Sequence, residues 1–334
     1  MEKPEKKKFM NVARPGSLQL TAEDVRTATK EEKEQLFIMR ETLTYWKDAY
    51  RRFLKNKIAV AALITIVLVA LFAFVGPMLS PYTYDQQIRE NRYSPPSWEH
   101  PFGTDVHGRD MLVRCMVGAQ ISLSIGVCCA VLVVVIGVIY GAISGYCGGK
   151  VDYVMMRYLE VLYTIPDVLV IILLQISLKE PLGKIFAGTL GSSMISIFVA
   201  FALLYWVNMA RMVRGQVLLV KEMEYVSAAR AMGAKGSRII FRHLIPNSIG
   251  VILVTAMFQI PMAIFIEAFL SYIGLGVSAP LASLGSLSSG AIGSFRSYPH
   301  LLLFPAMLIS LIILAFNLLG DGLRDALDPR LRSE

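Results

Sequence analysis

EYVSAARAMGAKGSRIIFRHLIPN, residues Glu224 to Asn247, is a long polar passage between uncharged apolar runs. It reads as two short helices. The first, about 224–232, presents Ala228 and Ala229 as a small-residue surface that another protein can approach closely. Gly233 and Gly236 bracket a turn, because glycine accepts positive φ without a Cβ penalty. The second helix runs from about Ser237, a residue type suited to an N-cap, to Leu244. Pro246 discourages helix at Ile245. Arg238 and Arg242 are four apart and share one face of that helix. On composition alone, the passage is equally an ordinary loop with basic anchors.

The runs around it decide the fold class. The chain has 334 residues, of which 55% are hydrophobic, and its mean hydropathy is +0.55. Soluble domains rarely reach such values; apolar stretches of about 20 residues span a bilayer as helices. Spans are expected at about 58–79, 119–144, 163–178, 192–210, 248–273 and 301–320. The fold expected is therefore an all-α polytopic membrane protein with six transmembrane helices. Residues 1–35 read as a solvated tail. Residues 35–57 read as an amphipathic helix on the membrane surface, with Tyr45 and Trp46 beside Arg51, Arg52, Lys55 and Lys57. The first 57 residues are polar and charged, so the N-terminal stretch is not expected to act as a secretion signal.

Charge sets an orientation. The net charge is +8, and the basic residues cluster beside apolar runs, so lipid headgroups rather than nucleic acid are the expected anions. With the N-terminus inside, 26 of the 33 Lys and Arg fall on inner segments and 7 on outer ones. That bias places both termini and the 211–247 loop in the cytoplasm. The organisation expected is a cytoplasmic tail and interfacial helix at 1–57, a membrane body at 58–320 containing the loop, and a short cytoplasmic tail at 321–334.

Few residues inside the spans invite chemistry. Asp167 and Glu267 are intramembrane acids, which are costly in lipid and therefore point to function. Asp167 sits near a water-accessible end. Glu267 lines a path, pairs with a helix of a partner subunit, or is satisfied by water and Ser271. Asn208 and Gln259 are polar groups that bond across helices or line a path. Pro261 is expected to kink its helix. His100 and His107 read as surface histidines more readily than as metal ligands. The four cysteines form no CxxC pair and read as core hydrophobes. Gly148-Gly149-Lys150 is no phosphate loop: Ser144 stands where the first Gly belongs, and Val151 where Ser or Thr must hold magnesium. No nucleotide motif and no clustered nucleophile, base or metal site is visible, so the chain does not read as an enzyme, and no cofactor is expected on it.

The order of residues in the opening passage resembles the coupling-loop signature of binding-protein-dependent ABC importer permeases. Ala228, Ala229, Gly233, Leu244 and Pro246 fall in its register, and His243 and Asn247 match the peptide/nickel branch. Ser227 departs from it, standing where the family usually has Glu. The stretch His100–Gly126 is similar to the region before the second span in that branch. Ile266–Gly276 resembles the end of the fifth span, and LAFNLLGDGLRDALDPRLR matches the branch's terminus nearly letter for letter. Leu284-Gly285 replaces a common Trp-Gly pair.

The resemblance covers about residues 40–334. It implies the type I importer permease fold, a second homologous permease subunit, two cytoplasmic ATPases that bind ATP and magnesium, and an external substrate-binding protein. It implies di- or oligopeptides as cargo, with nickel chelates as the alternative and an ion-coupled secondary transporter as a more distant one. Tyr225, Ser227, Ala228, Ala229, Gly233, Arg238, His243 and Pro246 are the expected contacts to the ATPase. The membrane expected is the bacterial or archaeal inner membrane.

Overall fold

The computed structural model describes residues 45–185, 192–277 and 281–328. The expected tail at 1–35, the first part of the expected interfacial helix up to residue 44, and residues 329–334 of the terminal tail lie outside those residues. The chain divides into two units, 1–47 and 48–334, and only Tyr45, Trp46 and Lys47 of the first are described.

The described residues form helices and contain no strand beyond one isolated Thr104–Asp110 bridge. In chain order they are α1 (Tyr45–Lys55), α2 (Lys57–Phe74), α3 (Met111–Cys147), α4 (Gly149–Thr164), α5 (Asp167–Ile185), α6 (Ser192–Leu204), α7 (Trp206–Val220), α8 (Glu224–Ala231), α9 (Gly236–Ile239), α10 (Ile249–Tyr272), α11 (Leu284–Ala291) and α12 (His300–Leu327). Five stretches are long and apolar enough to cross a membrane: α2, α3, the joined α6–α7, α10 and α12. The pair α4–α5, bent by 80°, supplies a sixth when counted as one span. Exposed apolar side chains such as Leu63, Leu68, Leu71, Leu303, Met307 and Leu314 suit contact with lipid tails.

Helix lengths follow caps more than bilayer thickness. Expected at 119–144, the second span instead covers 37 residues as α3, about 55 Å at 1.5 Å per residue. It starts where the Asp110 side chain accepts the Val113 N–H at 2.9 Å and stops at Gly148, whose φ is 64°. Its ends therefore reach past the apolar layer. The first span is shorter than expected, because Gly76-Pro77 separates α2 from one further turn at Gly76–Leu79. Tyr205 divides the fourth span into α6 and α7. The last span does not end at 320, where the expected bound stood, and its two glycines there, Gly320 and Gly322, lie inside the helix. A Cβ at Gly320 would meet the Phe258 ring and one at Gly322 would meet Ala59, so both are close-packing positions inside a helix that continues to Leu327. The expected outer loop at 277–300 contains α11, with Leu284, Gly285, Leu287 and Ala291 buried.

The centre of the body is the α3–α7 seam, the most extensive helix pair. Gly137, Gly141 and Gly145 form an i, i+4, i+8 stripe on α3. A Cβ at each would press on Met209, on the Ala210 carbonyl and on Val217 respectively. Gly126 and Gly118, further toward the start of α3, meet Ile260 of α10 and Leu284 of α11. The absence of side chains brings backbones together, the means by which helices associate where lipid removes the hydrophobic drive.

Candidate functional site

The α8–α9 arm projects from the end of the bundle where α3 stops. Its base is buried. Val226 and Ala229 of α8, Ile239 of α9 and Leu244 beyond it are each at most 5% exposed. Charged groups brace the same base. Lys221 Nζ donates to the Gly145 carbonyl at 2.9 Å, and the Arg230 guanidinium lies 6.0 Å from the Tyr146 ring centre. Arg214 Nε and the Ser144 hydroxyl both donate to Asp152 Oδ1 at 2.5 Å, tying α7, α3 and α4 together. Arg214→Ala leaves the Asp152 carboxylate short of its main partner. It is expected to lower stability by about 1–3 kcal/mol, measured as an earlier thermal transition of the purified chain.

The arm's turn is a Schellman motif. The Ala234 N–H bonds the Ala229 carbonyl at 3.1 Å and the Gly233 N–H bonds Arg230 at 3.0 Å, which requires the φ of 80° that Gly233 adopts. Gly236 differs from expectation. It opens α9 with no positive φ, and a Cβ there would strike the Tyr146 ring. Lys235 takes the N-cap position in place of Ser237. The second helix does not run regularly to Leu244 but widens into a π turn over Ile240–Leu244. Pro246 follows within a further helical turn instead of ending the helix. In a regular helix its ring would meet the Arg242 carbonyl, to which it has no N–H to offer; the wide turn relieves that conflict.

What the arm exposes is selective. Tyr225, Ser227, Ala228, Gly233, Arg238 and Pro246 are exposed, and His243 is half-buried, 6.4 Å from the Tyr225 ring. Ala229 is the exception among the expected contacts. It is 5% exposed and faces the body, because α8 must bury one stripe, Val226 and Ala229, to be held at all. Sequence reasoning missed two exposed apolar side chains, Met232 and Phe241, at 81% and 62% exposure. Apolar residues at a polar arm's tip were the available signal.

Three of the four intramembrane polar residues converge. Asp167, Asn208 and Gln259 line one cleft of about 540 Å³ between α5, α7 and α10, with Tyr163, Tyr205 and Phe258. The Tyr205 hydroxyl donates to Asp167 Oδ2 at 3.0 Å, and Gln259 Oε1 is buried without a partner. Pro166 immediately precedes α5, and its carbonyl accepts the Leu169 and Val170 N–H groups. Pro261 sits inside α10, which continues past it to Tyr272.

Glu267 lies apart from the cleft and is fully buried. Its Oε1 accepts the Ser271 and Ser283 hydroxyls at 2.7 and 2.5 Å, and Oε2 has the Ser122 hydroxyl at 3.5 Å. Ser122 in turn accepts the Leu284 N–H at 3.2 Å. Serines from three parts of the chain bond this acid, and it joins α10, α3 and the start of α11. Glu267→Ala is expected to cost about 1–3 kcal/mol through the hydroxyls it leaves without an acceptor, and Glu267→Gln less, by thermal melting.

The loop at 80–110 is also more closed than its polarity implied. His100 is 3% exposed, not a surface histidine, and its Nδ1 lies 2.7 Å from Asp110 Oδ2. His107 is exposed as expected. Among the described residues no three His, Cys, Asp or Glu side chains are grouped to hold a metal ion.

The described residues form a bundle of membrane-length apolar helices with a braced arm at one end and a polar cleft in its side, a layout that suits a membrane transport subunit. Residues 121–333 match the family described as binding-protein-dependent transport system inner membrane component, and residues 44–96 match the N-terminal transmembrane domain of oligopeptide transport permease C. The chain belongs to the binding-protein-dependent transport system inner membrane component family, as a permease. It is 49% identical to the oligopeptide transport system permease protein OppC of Bacillus subtilis over 88% of this chain and 93% of that one. Identity to the dipeptide transport system permease protein DppC of the same organism is 45%, over 88% and 89%. Identity to the glutathione transport system permease protein GsiD of Pectobacterium atrosepticum is 37%, over 87% and 93%.

Proposed function

We propose that this chain is one of two permease subunits of an ATP-driven importer in a bacterial or archaeal inner membrane, with both termini and the α8–α9 arm in the cytoplasm. The exposed face of α8, with Met232 and Phe241 at its flanks, docks in a groove of an ATPase subunit. Two such ATPases bind ATP and magnesium, and their closure pushes the arm. The buried base transmits that push into α3 and α7, so the spans rock and the path opens alternately to each side. The cleft of Asp167, Asn208 and Gln259 forms one wall of the path, facing the second permease. An external binding protein delivers di- or oligopeptides to the opposite end of the bundle. The division proposed with it is a cytoplasmic tail and interfacial helix at 1–57, a membrane body at 58–320 and a short cytoplasmic tail at 321–334.

The observation that carries this reading is the arm's asymmetry: an apolar stripe, the Lys221 hydrogen bond to the Gly145 carbonyl and the Arg230–Tyr146 contact fix its base, while small and apolar residues stand free at its outer face. Peptide cargo is supported by the names of the relatives, and nothing in the cleft favours a nickel chelate. An ion-coupled transporter would want paired acids, whereas Asp167 and Glu267 lie apart and Glu267 is sealed by serines.

Two measurements test the reading. Peptide uptake by vesicles carrying the complete transporter is expected to require ATP on the arm's side; uptake driven by an ion gradient alone would refute it. The Asn208→Cys variant, in a chain freed of its four native cysteines, is expected to react with a small thiol reagent, and saturating peptide should slow that reaction severalfold. Labelling indifferent to peptide would remove the cleft from the path.

A further inference from the structure

At the end of the bundle opposite the arm lies a second cavity, of about 470 Å³, between the 80–110 loop, the start of α3, and α11. Asp105, His107, Arg109 and Arg114 give it a polar side, and Val277 and Leu287 an apolar one. The charges in it do not balance. Asp105 Oδ2 takes the Arg109 Nε at 2.7 Å, and its Oδ1 takes the backbone N–H groups of His107 and Arg109 at 2.8 and 3.0 Å. Arg114 Nη1 comes no nearer to that carboxylate than 3.6 Å, beyond hydrogen-bond reach. Asp110 offers nothing more, since Oδ1 caps α3 and Oδ2 is held by His100.

The Arg114 side chain is only 8% exposed, yet its Nε and Nη1 are buried without a hydrogen-bond partner. Two guanidinium groups thus share one carboxylate. A buried cation short of acceptors is costly. That cost is removed when a bound anion completes the set, most effectively a carboxylate facing the planar fork.

We propose that this cavity is a carboxylate site on the outer face, filled by the C-terminal carboxylate of a short peptide. Arg114 is the charged partner, and Val277 and Leu287 receive the peptide's last side chain. The volume and the apolar wall favour a small guest over the acidic side chain of a docked protein, which would leave that wall unused. The proposal rests on the peptide reading above.

Titration of the full chain in lipid nanodiscs with trialanine and with its C-terminal amide tests it. The acid is expected to bind about tenfold or more tightly than the amide, the contribution of a charge-assisted hydrogen bond, and Arg114→Gln is expected to erase the difference. Without peptide, Arg114→Gln should melt no lower than the parent, because Asp105 keeps the Arg109 guanidinium and the change removes a buried cation two of whose nitrogens lack hydrogen-bond partners. Equal affinities, a preference that survives the substitution, or a lower melting temperature would each overturn the assignment. Unchanged peptide binding with weakened capture of the binding protein would replace the peptide by an acidic protein side chain as occupant, and overturn it likewise. ATP-driven uptake of trialanine separates the two levels: uptake alongside equal affinities removes this site alone, whereas failure to take up any peptide removes the reading beneath it.

Discussion

Gly141→Leu is expected to leave no correctly folded chain. The position lies midway along the α3–α7 seam, where a Cβ would stand 2.3 Å from the Ala210 carbonyl oxygen and 3.0 Å from Val213 Cβ. Backbone cannot step aside as a flexible side-chain end can. Overpacking by a single carbon costs about 1–3 kcal/mol in a well-packed interior, so Gly141→Ala alone should lower the melting temperature measurably. Leucine adds three more carbons with nowhere to go, and folded proteins hold a margin of only about 5–15 kcal/mol. Yield of monodisperse protein from detergent is the measurement, with Gly215→Ala as its counterpart. Gly215 lies on α7 with open space around it, so alanine there is expected to stabilise by about 0.5–1 kcal/mol. Comparable loss in both variants would mean that the seam is not the structural centre.

Ala228→Arg is expected to abolish most uptake while leaving the chain folded. Ala228 is exposed on α8, one residue before buried Ala229, so an added side chain points away from the base. If the ATPase groove closes over this surface, a long cation at its centre should lower coupled transport about tenfold or more, since a few central residues dominate such interfaces. Melting temperature should hold within the small range of surface substitutions. Two other substitutions that the sequence invites are poorer probes. A charge at Ala229 would be buried against the body, so its effect would mix folding with docking. Gly233→Trp adds backbone strain, because φ is 80° there. Full uptake by Ala228→Arg would count against docking through this face.

The sequence made the spans legible because each is a run of apolar residues that only a bilayer or a core accommodates. It was less informative about where they end. Helix α3 is bounded by Asp110 and Gly148, a side-chain cap and a left-handed joint, neither of which shows in hydropathy. The arm was recognisable from residue order, including the glycine that shapes its turn. Its buried and exposed faces were not, since Ala228 and Ala229 are the same residue type and only helical phase separates them. The convergence of Asp167, Asn208 and Gln259 on one cleft is long-range, joining α5, α7 and α10, and no local pattern encodes it. Glu267 illustrates the same limit: two of its three serine neighbours, Ser122 and Ser283, come from other elements. The polar loop at 80–110 concealed a buried His100–Asp110 pair because polarity was read as exposure.

The central claim is that a partner ATPase grips α8 from the cytoplasm. Cross-linking from a Ser227→Cys variant tests it most directly, in inner-membrane vesicles bearing the complete transporter and a chain otherwise free of cysteine. Ser227 is exposed on the arm. A short thiol-reactive cross-linker is expected to join the variant to the ATPase subunit, with a yield that changes when ATP is added, and the thiol should stay unreactive toward an impermeant reagent applied outside intact cells. A thiol that labels from outside, or that never joins the ATPase while uptake continues, would contradict the account.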